Sequence, residues 1–159
     1  MKPGTVDVKT KELIAIGIAI SLRCDGCIAA HARAASKAGA PWAERVCVAL
    51  EALLEHLARH PDEARFAIVE VLAAGPKALA RRDTVLRQLT GFVEAGRSQS
   101  SLELPGITSV AIVGGIHELL YTEILHGATA RLPARLPDIV YWVTEPLLGK
   151  EAAAAERER

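Results

Sequence analysis

The chain has 159 residues, room for one ordinary domain with one sizeable core. Half of the residues are hydrophobic but only 4% are aromatic, so the core is built from Ala, Leu, Val and Ile, a composition that suits packed helices better than sheets. Lys+Arg and Asp+Glu both number 19, and this balance leaves no electrostatic footprint for nucleic acid.

In chain order, residues 1–9 read as a loose start and a helix follows from about Thr10 to Leu22. Its apolar run, Leu13 to Leu22, is preceded by Lys2, Lys9 and Lys11 and has the length of a signal-peptide core. Glu12 abuts the run and Ser21-Leu22-Arg23 is not a small-residue cleavage site. The run is also too short to span a bilayer, so it reads as a buried helix of a cytoplasmic protein. Asp25-Gly26 should interrupt or bend the path before a second helix running to about Ala38. Gly39 supplies a stop, and Pro41 fits the first turn of the next helix.

Val46, Ala49, Leu50, Leu53, Leu54 and Leu57 form a stripe of period 3.6, ended by His60-Pro61. A helix over about 62–73 should turn Phe66, Val69 and Leu72 inward. Gly75-Pro76 stops and restarts the chain, and a helix runs from Pro76 to about Ala95. Residues 96–105 are Ser-rich and read as the longest loop. A very apolar helix spans about Gly106 to His126, with Val110, Val113, Gly114, Leu120 and Ile124 pointing to burial on more than one side. Leu136, Ile139, Val140, Val143 and Leu147 form the stripe of the next helix. Residues 150–159 read as a disordered, solvated tail. The expectation is an all-α fold of about seven helices.

The chemistry concentrates in Cys24-Asp-Gly-Cys27-Ile-Ala-Ala-His31, with Glu12 twelve residues ahead of Cys24. Three cysteines are too few for a disulfide scaffold, and a C-x-x-C of this kind reads as redox-active or metal-binding. On a helix Cys24, Cys27 and His31 share one face. A thiol at a helix start meets the positive end of the helix dipole, which favours the thiolate. A thiolate attacks a peroxide oxygen or a disulfide sulfur, and a sulfenic acid condenses with a neighbouring thiol. His31 could shuttle the proton, and Glu12, among apolar neighbours, could orient and charge-stabilise the imidazole. A metal site from Cys24, Cys27 and His31 has no evident fourth ligand, and a buried structural pair of thiols is the bland alternative. No cofactor or metal is called for.

Glu12-x11-Cys24-x2-Cys27-x3-His31, flanked by Thr10-Lys11-Glu12-Leu13-Ile14-Ala15 and by Ala34-Ala35-Ser36-Lys37-Ala38-Gly39-Ala40, resembles the signature of the alkylhydroperoxidase D / carboxymuconolactone decarboxylase family. The resemblance covers about residues 5–40. It implies that Cys27 attacks, that Cys24 donates a proton and resolves, and that Glu12 and His31 form the relay. Decarboxylase members generally lack the cysteine pair, so that activity is not implied.

From Pro41 the sequence resembles a different family. Pro41-Trp42-Ala43-Glu44-Arg45-Val46, Leu53-Leu54-Glu55-His56-Leu57, Val113-Gly114-Gly115-Ile116-His117-Glu118 and Leu136-Pro137-Asp138, in that order and spacing, are similar to the C-terminal ligand-binding and dimerisation domain of TetR-like regulators. Residues 41–149 would form that domain, and 1–40 a partial redox domain. The resemblance implies a homodimer through helices at about 106–126 and 133–148, with Tyr141 and Trp142 as anchors. It also suggests a small apolar ligand near Phe66, Phe92 and His117. Residues 1–40 contain no Phe, Tyr or Trp and no helix-turn-helix signal, so direct DNA binding is not expected. Cys47 reads as a buried small hydrophobe. His56, His60 and His126 read as caps or surface residues, and Arg81-Arg82-Asp83 as a solvated helix face.

Overall fold

In a computed structural model, residues 5–22 and 24–158 are described, without the side chains of Ser21 and Asp25. The described residues are all-α and contain no strand. The helices are α1 (Val8–Ser21), α2 (Asp25–Lys37), α3 (Trp42–Arg59), α4 (Pro61–Ala64), α5 (Pro76–Glu94), α6 (Thr108–Leu125), α7 (Leu136–Leu148) and α8 (Lys150–Arg157). Eight α-helices among the described residues compare with about seven expected.

α1 and α2 form a helical hairpin, and α3 is the spine of the molecule. One side of α3 meets the hairpin, where Leu13, Ile16, Ala32, Ala35 and Ala40 make a small core with Val48 and Ala49 packed against it. These small side chains let the three helices approach closely. α1 and α3 run in the same direction: Lys9 Nζ lies 3.1 Å from Glu44 Oε2, and a Cβ on Gly17 would sit 3.7 Å from that of Ala52. The other side of α3 enters the main core, where Trp42, Val46, Leu54 and Leu57 join Leu120, Leu132, Ile139, Val143 and Leu147. Phe92 of α5 packs against both cores and links them.

Trp42 clamps the start of α3. It is fully buried, its indole N–H donates to the Phe92 carbonyl at 3.0 Å, and its ring lies flat against Gly96. Gly96 belongs to a 3-10 turn, Ala95–Gln99, that continues α5 into the expected loop. Arg97 pins that loop by donating to the carbonyls of Leu104 (3.0 Å) and Pro105 (3.2 Å).

Several expectations are corrected. The path bends between α1 and α2 just ahead of Asp25-Gly26, which form the first turn of α2, and Pro41 is the N-cap of α3. The start expected over 1–9 lies outside the described residues at 1–4, and α1 already begins at Val8. After α4 the backbone widens into a π turn, Arg65–Val69, followed by a 3-10 turn, Glu70–Ala73. An extra residue per turn rotates the side chains off the α-helical stripe. Phe66 and Leu72 therefore face solvent, and only Val69 of the expected trio packs on the core. Val110 is exposed as well. The expected tail contains α8, which packs on α7, buries Ala153 completely and ties Arg157 to Asp138 at 2.8 Å. Gly149, at φ +85°, makes the turn between α7 and α8, a backbone conformation that favours glycine.

Candidate active site

The candidate site lies in the α1–α2 hairpin. Asp7 caps α1 by accepting from the Thr10 amide at 2.9 Å. That bond, with a second from the Thr10 hydroxyl, holds the Asp7 carboxyl below its usual range. Just over one turn into α1, Glu12 is buried at 5% exposure beside Leu13 and Ile16. A carboxylate so placed is costly unless it is paired. Its partner is His31 of α2, whose Nδ1 lies 2.7 Å from Glu12 Oε2. The His31 side chain is one-third exposed (33%), so the imidazole bridges the buried carboxylate and the surface.

Cys24 is the N-cap of α2. Its amide donates back to the Ala19 carbonyl of α1 at 3.0 Å, and its Sγ accepts from the Cys27 amide at 3.3 Å. Cys24 and Cys27 are joined as a disulfide, with their Cα atoms 5.2 Å apart. Both are partly exposed. Cys27 and His31 stand at i and i+4 on α2, which puts them on one face with Cβ atoms about 5–6 Å apart. With Nδ1 committed to Glu12, Nε2 is the nitrogen of His31 that remains for proton exchange. One short hairpin thus holds a dithiol/disulfide pair, an imidazole and a buried carboxylate. Among the described residues no cluster of His, Cys, Asp and Glu could hold a metal ion.

Arg45 is a residue that sequence reasoning passed over. It is 8% exposed, its Nη1 donates to the Ala32 carbonyl at 3.2 Å, and its Nε has no hydrogen-bond partner. Burial lowers its pKa from the ordinary guanidinium range. The signal was its place in the stripe Trp42, Arg45, Val46, Ala49, where a charge falls on the buried face of α3.

Phe66 is 64% exposed, Phe92 packs between the two cores, and His117 is half-buried in α6. Two open grooves flank the helices: one of about 430 Å³ between α1 and α3, and one of about 660 Å³ between α5 and α6. None of the three lines either groove. Cys47 is half-buried on α3 rather than fully buried. His60 and His126 are the C-caps of α3 and α6, and the His126 ring bonds the Thr122 carbonyl at 2.8 Å. The His56 side chain is largely buried, with Nε2 3.7 Å from Glu63. Arg82 is likewise mostly buried and not a solvated residue.

Residues 1–54 match the model of the carboxymuconolactone decarboxylase family. The matched segment carries all four candidate site residues, the whole α1–α2 hairpin and most of α3. It runs past the junction expected near residue 40 and takes in the helix on which the hairpin is seated. It accounts for 54 of 159 residues, so the similarity belongs to this part of the chain. No curated protein and no solved structure matches. No helix among the described residues is long and apolar enough to cross a membrane.

Proposed function

We propose that this chain is a thiol-dependent redox protein that reduces a peroxide or a disulfide through Cys24 and Cys27. One observation carries the reading: the two cysteines form a disulfide at the start of α2, and the imidazole one turn beyond Cys27 is held by a buried carboxylate. The similarity of residues 1–54 to the carboxymuconolactone decarboxylase family supports it.

In the reduced protein, His31 takes the Cys27 proton as Sγ attacks the distal peroxide oxygen. The O–O bond breaks, the alkoxide takes that proton and leaves as an alcohol, and Cys27 becomes a sulfenic acid. Cys24 Sγ then attacks Cys27 Sγ, and water departs as the disulfide closes. A disulfide substrate follows the same order: Cys27 forms a mixed disulfide and Cys24 displaces the second thiolate. A thiol donor returns the pair to the dithiol.

The test is peroxide-dependent turnover with a dithiol donor. Cys27→Ser should abolish turnover. Cys24→Ser should stop after one equivalent of peroxide, with a sulfenic acid on Cys27 that a dimedone-type probe labels. Turnover of Cys27→Ser at the wild-type rate would sink the proposal.

A second reading, a ligand- or redox-sensing dimerisation module like that of a TetR-like regulator, draws on a separate observation. Ile107 at the N-cap of α6, Val110 of α6 and Trp142 of α7 are more than half exposed, with the Trp142 indole against Gly115. Exposed large apolar side chains on these helices support an interaction surface here. The occupant we propose is a second copy of the chain, so Trp142→Ser should shift sedimentation from dimer to monomer. A wild-type chain that sediments as a monomer would remove the dimer.

A further inference from the structure

We infer that Arg45 is a positioning residue for the thiol site: its guanidinium ties α2 to α3 at the turn that carries His31, and so keeps the imidazole on Glu12. This rests on the redox reading above and adds a residue of α3, outside the cysteine pair and its relay, on which that chemistry depends.

Arg45 occupies its place at a cost. It is 8% exposed, and its Nε is buried without a hydrogen-bond partner. Its Nη1 donates to a neutral group, the Ala32 carbonyl, at 3.2 Å. A charge taken out of water and paired with a carbonyl recovers little of its lost hydration. An unbranched apolar side chain would fill the same place on the buried stripe of α3 without that loss. Stability alone therefore does not call for an arginine here. What arginine brings is a donor on a long stem, which reaches across to α2.

The tie falls where it matters for the site. Among the described residues α2 gives the buried core of the hairpin two small side chains, Ala32 and Ala35. Single methyl groups offer few atoms to interlock, so apolar packing sets the rotation of α2 weakly. Polar ties set it instead. The Cys24 amide fixes the start of α2 to the Ala19 carbonyl, and His31 Nδ1 meets Glu12 of α1 at 2.7 Å. Arg45 holds the very next residue to α3, through the lone pair that a helical carbonyl keeps beside its own bond. His31 and Ala32 point about 100° apart around α2, so ties to two different helices fix that turn. Without Arg45 the turn is tethered to α1 alone and rocks about that contact. Cys27 and His31 ride together on α2, but the imidazole loses its fixed alignment with Glu12. Its Nδ1 proton is then no longer held, and Nε2 is no longer reserved for the Cys27 proton.

The experiment compares full-length wild type, Arg45→Met and Arg45→Lys by three readouts. These are thermal unfolding, turnover of hydrogen peroxide with dithiothreitol, and long-range 1H–15N spectra of the His31 ring at about pH 9, where an ordinary imidazole is neutral. His31→Gln assigns the ring signals. The wild-type ring should carry its proton on Nδ1. Arg45→Met should unfold at the wild-type Tm or above it, show mixed ring tautomers, and turn over about 10- to 100-fold more slowly. Arg45→Lys keeps a charged donor and should recover part of both the tautomer and the turnover. Arg45→Met turnover within about threefold of wild type, or an unchanged ring tautomer, overturns this inference alone. So does a Tm that falls in Arg45→Met, which gives Arg45 a structural role, or an Arg45→Lys no better than Arg45→Met. A wild-type chain without turnover overturns the redox reading and this inference with it.

Discussion

Gly96→Ala overfills the contact on which the seating of α3 depends. An ideal Cβ at Gly96 falls 2.5, 2.6 and 2.8 Å from three carbons of the Trp42 ring. Carbon atoms pack at about 3.5–4.0 Å, so ring or turn must move by roughly 1 Å. Trp42 is fully buried and its indole is hydrogen-bonded to Phe92, so the ring has nowhere to go at low cost. Overpacking of this kind costs about 1–3 kcal/mol. For a chain of this size each kcal/mol is worth about 2–4 °C, which gives a fall in Tm of roughly 2–12 °C. Gly91→Ala is the control. It lies in α5, just ahead of that turn, its Cβ would meet nothing within 4 Å, and removing a helical glycine stabilises by up to about 1 kcal/mol. Thermal unfolding followed by circular dichroism should move the two variants in opposite directions. A Gly96→Ala protein as stable as the wild type would refute the packing argument.

Two further outcomes follow from the charges. Burial first, and then the charge of Arg82, hold the His117 imidazole below its ordinary 6.5. The unfolded chain therefore takes up this proton first as pH falls past about 6.5, and the fold loses stability on acidification from about pH 7 to 5. Urea unfolding across that range should show a shallower loss in His117→Gln, and an unchanged slope would dismiss the residue as a contributor. His31→Gln removes the imidazole that exchanges the Cys27 proton. Peroxide turnover should fall by about 10²–10⁴-fold, and activity within threefold of wild type would show that no relay operates.

The parts of the molecule legible in the sequence are those where one period or one spacing decides. Ile139, Val140, Val143 and Leu147 of α7 are all buried, as their 3.6-residue repeat requires. The pairing of Glu12 with His31 was legible because an acid among Leu13, Ile14 and Ile16 needs a partner. What stayed hidden depends on departures from the regular period or on tertiary contacts. The π turn at Arg65–Val69 carries no local signal in the sequence, yet it turns Phe66 out to solvent. α8 reads as a frayed Ala-Glu-Arg run until α7 covers Ala153 and Asp138 receives Arg157. Arg45 falls on the buried stripe of α3, but the group that receives it, the Ala32 carbonyl, comes from α2 and has no local mark in the sequence.

The central claim is that Cys24 and Cys27 form a working redox couple and not a structural bridge. The most direct test equilibrates the protein in thiol/disulfide buffers of graded potential and counts alkylated cysteines by peptide mass. One reversible two-electron transition confined to these two cysteines is expected, between about −120 and −270 mV, where thiol oxidoreductases operate. A bridge that stays closed below about −300 mV, as structural disulfides do, or thiols that never pair in any buffer, would contradict it.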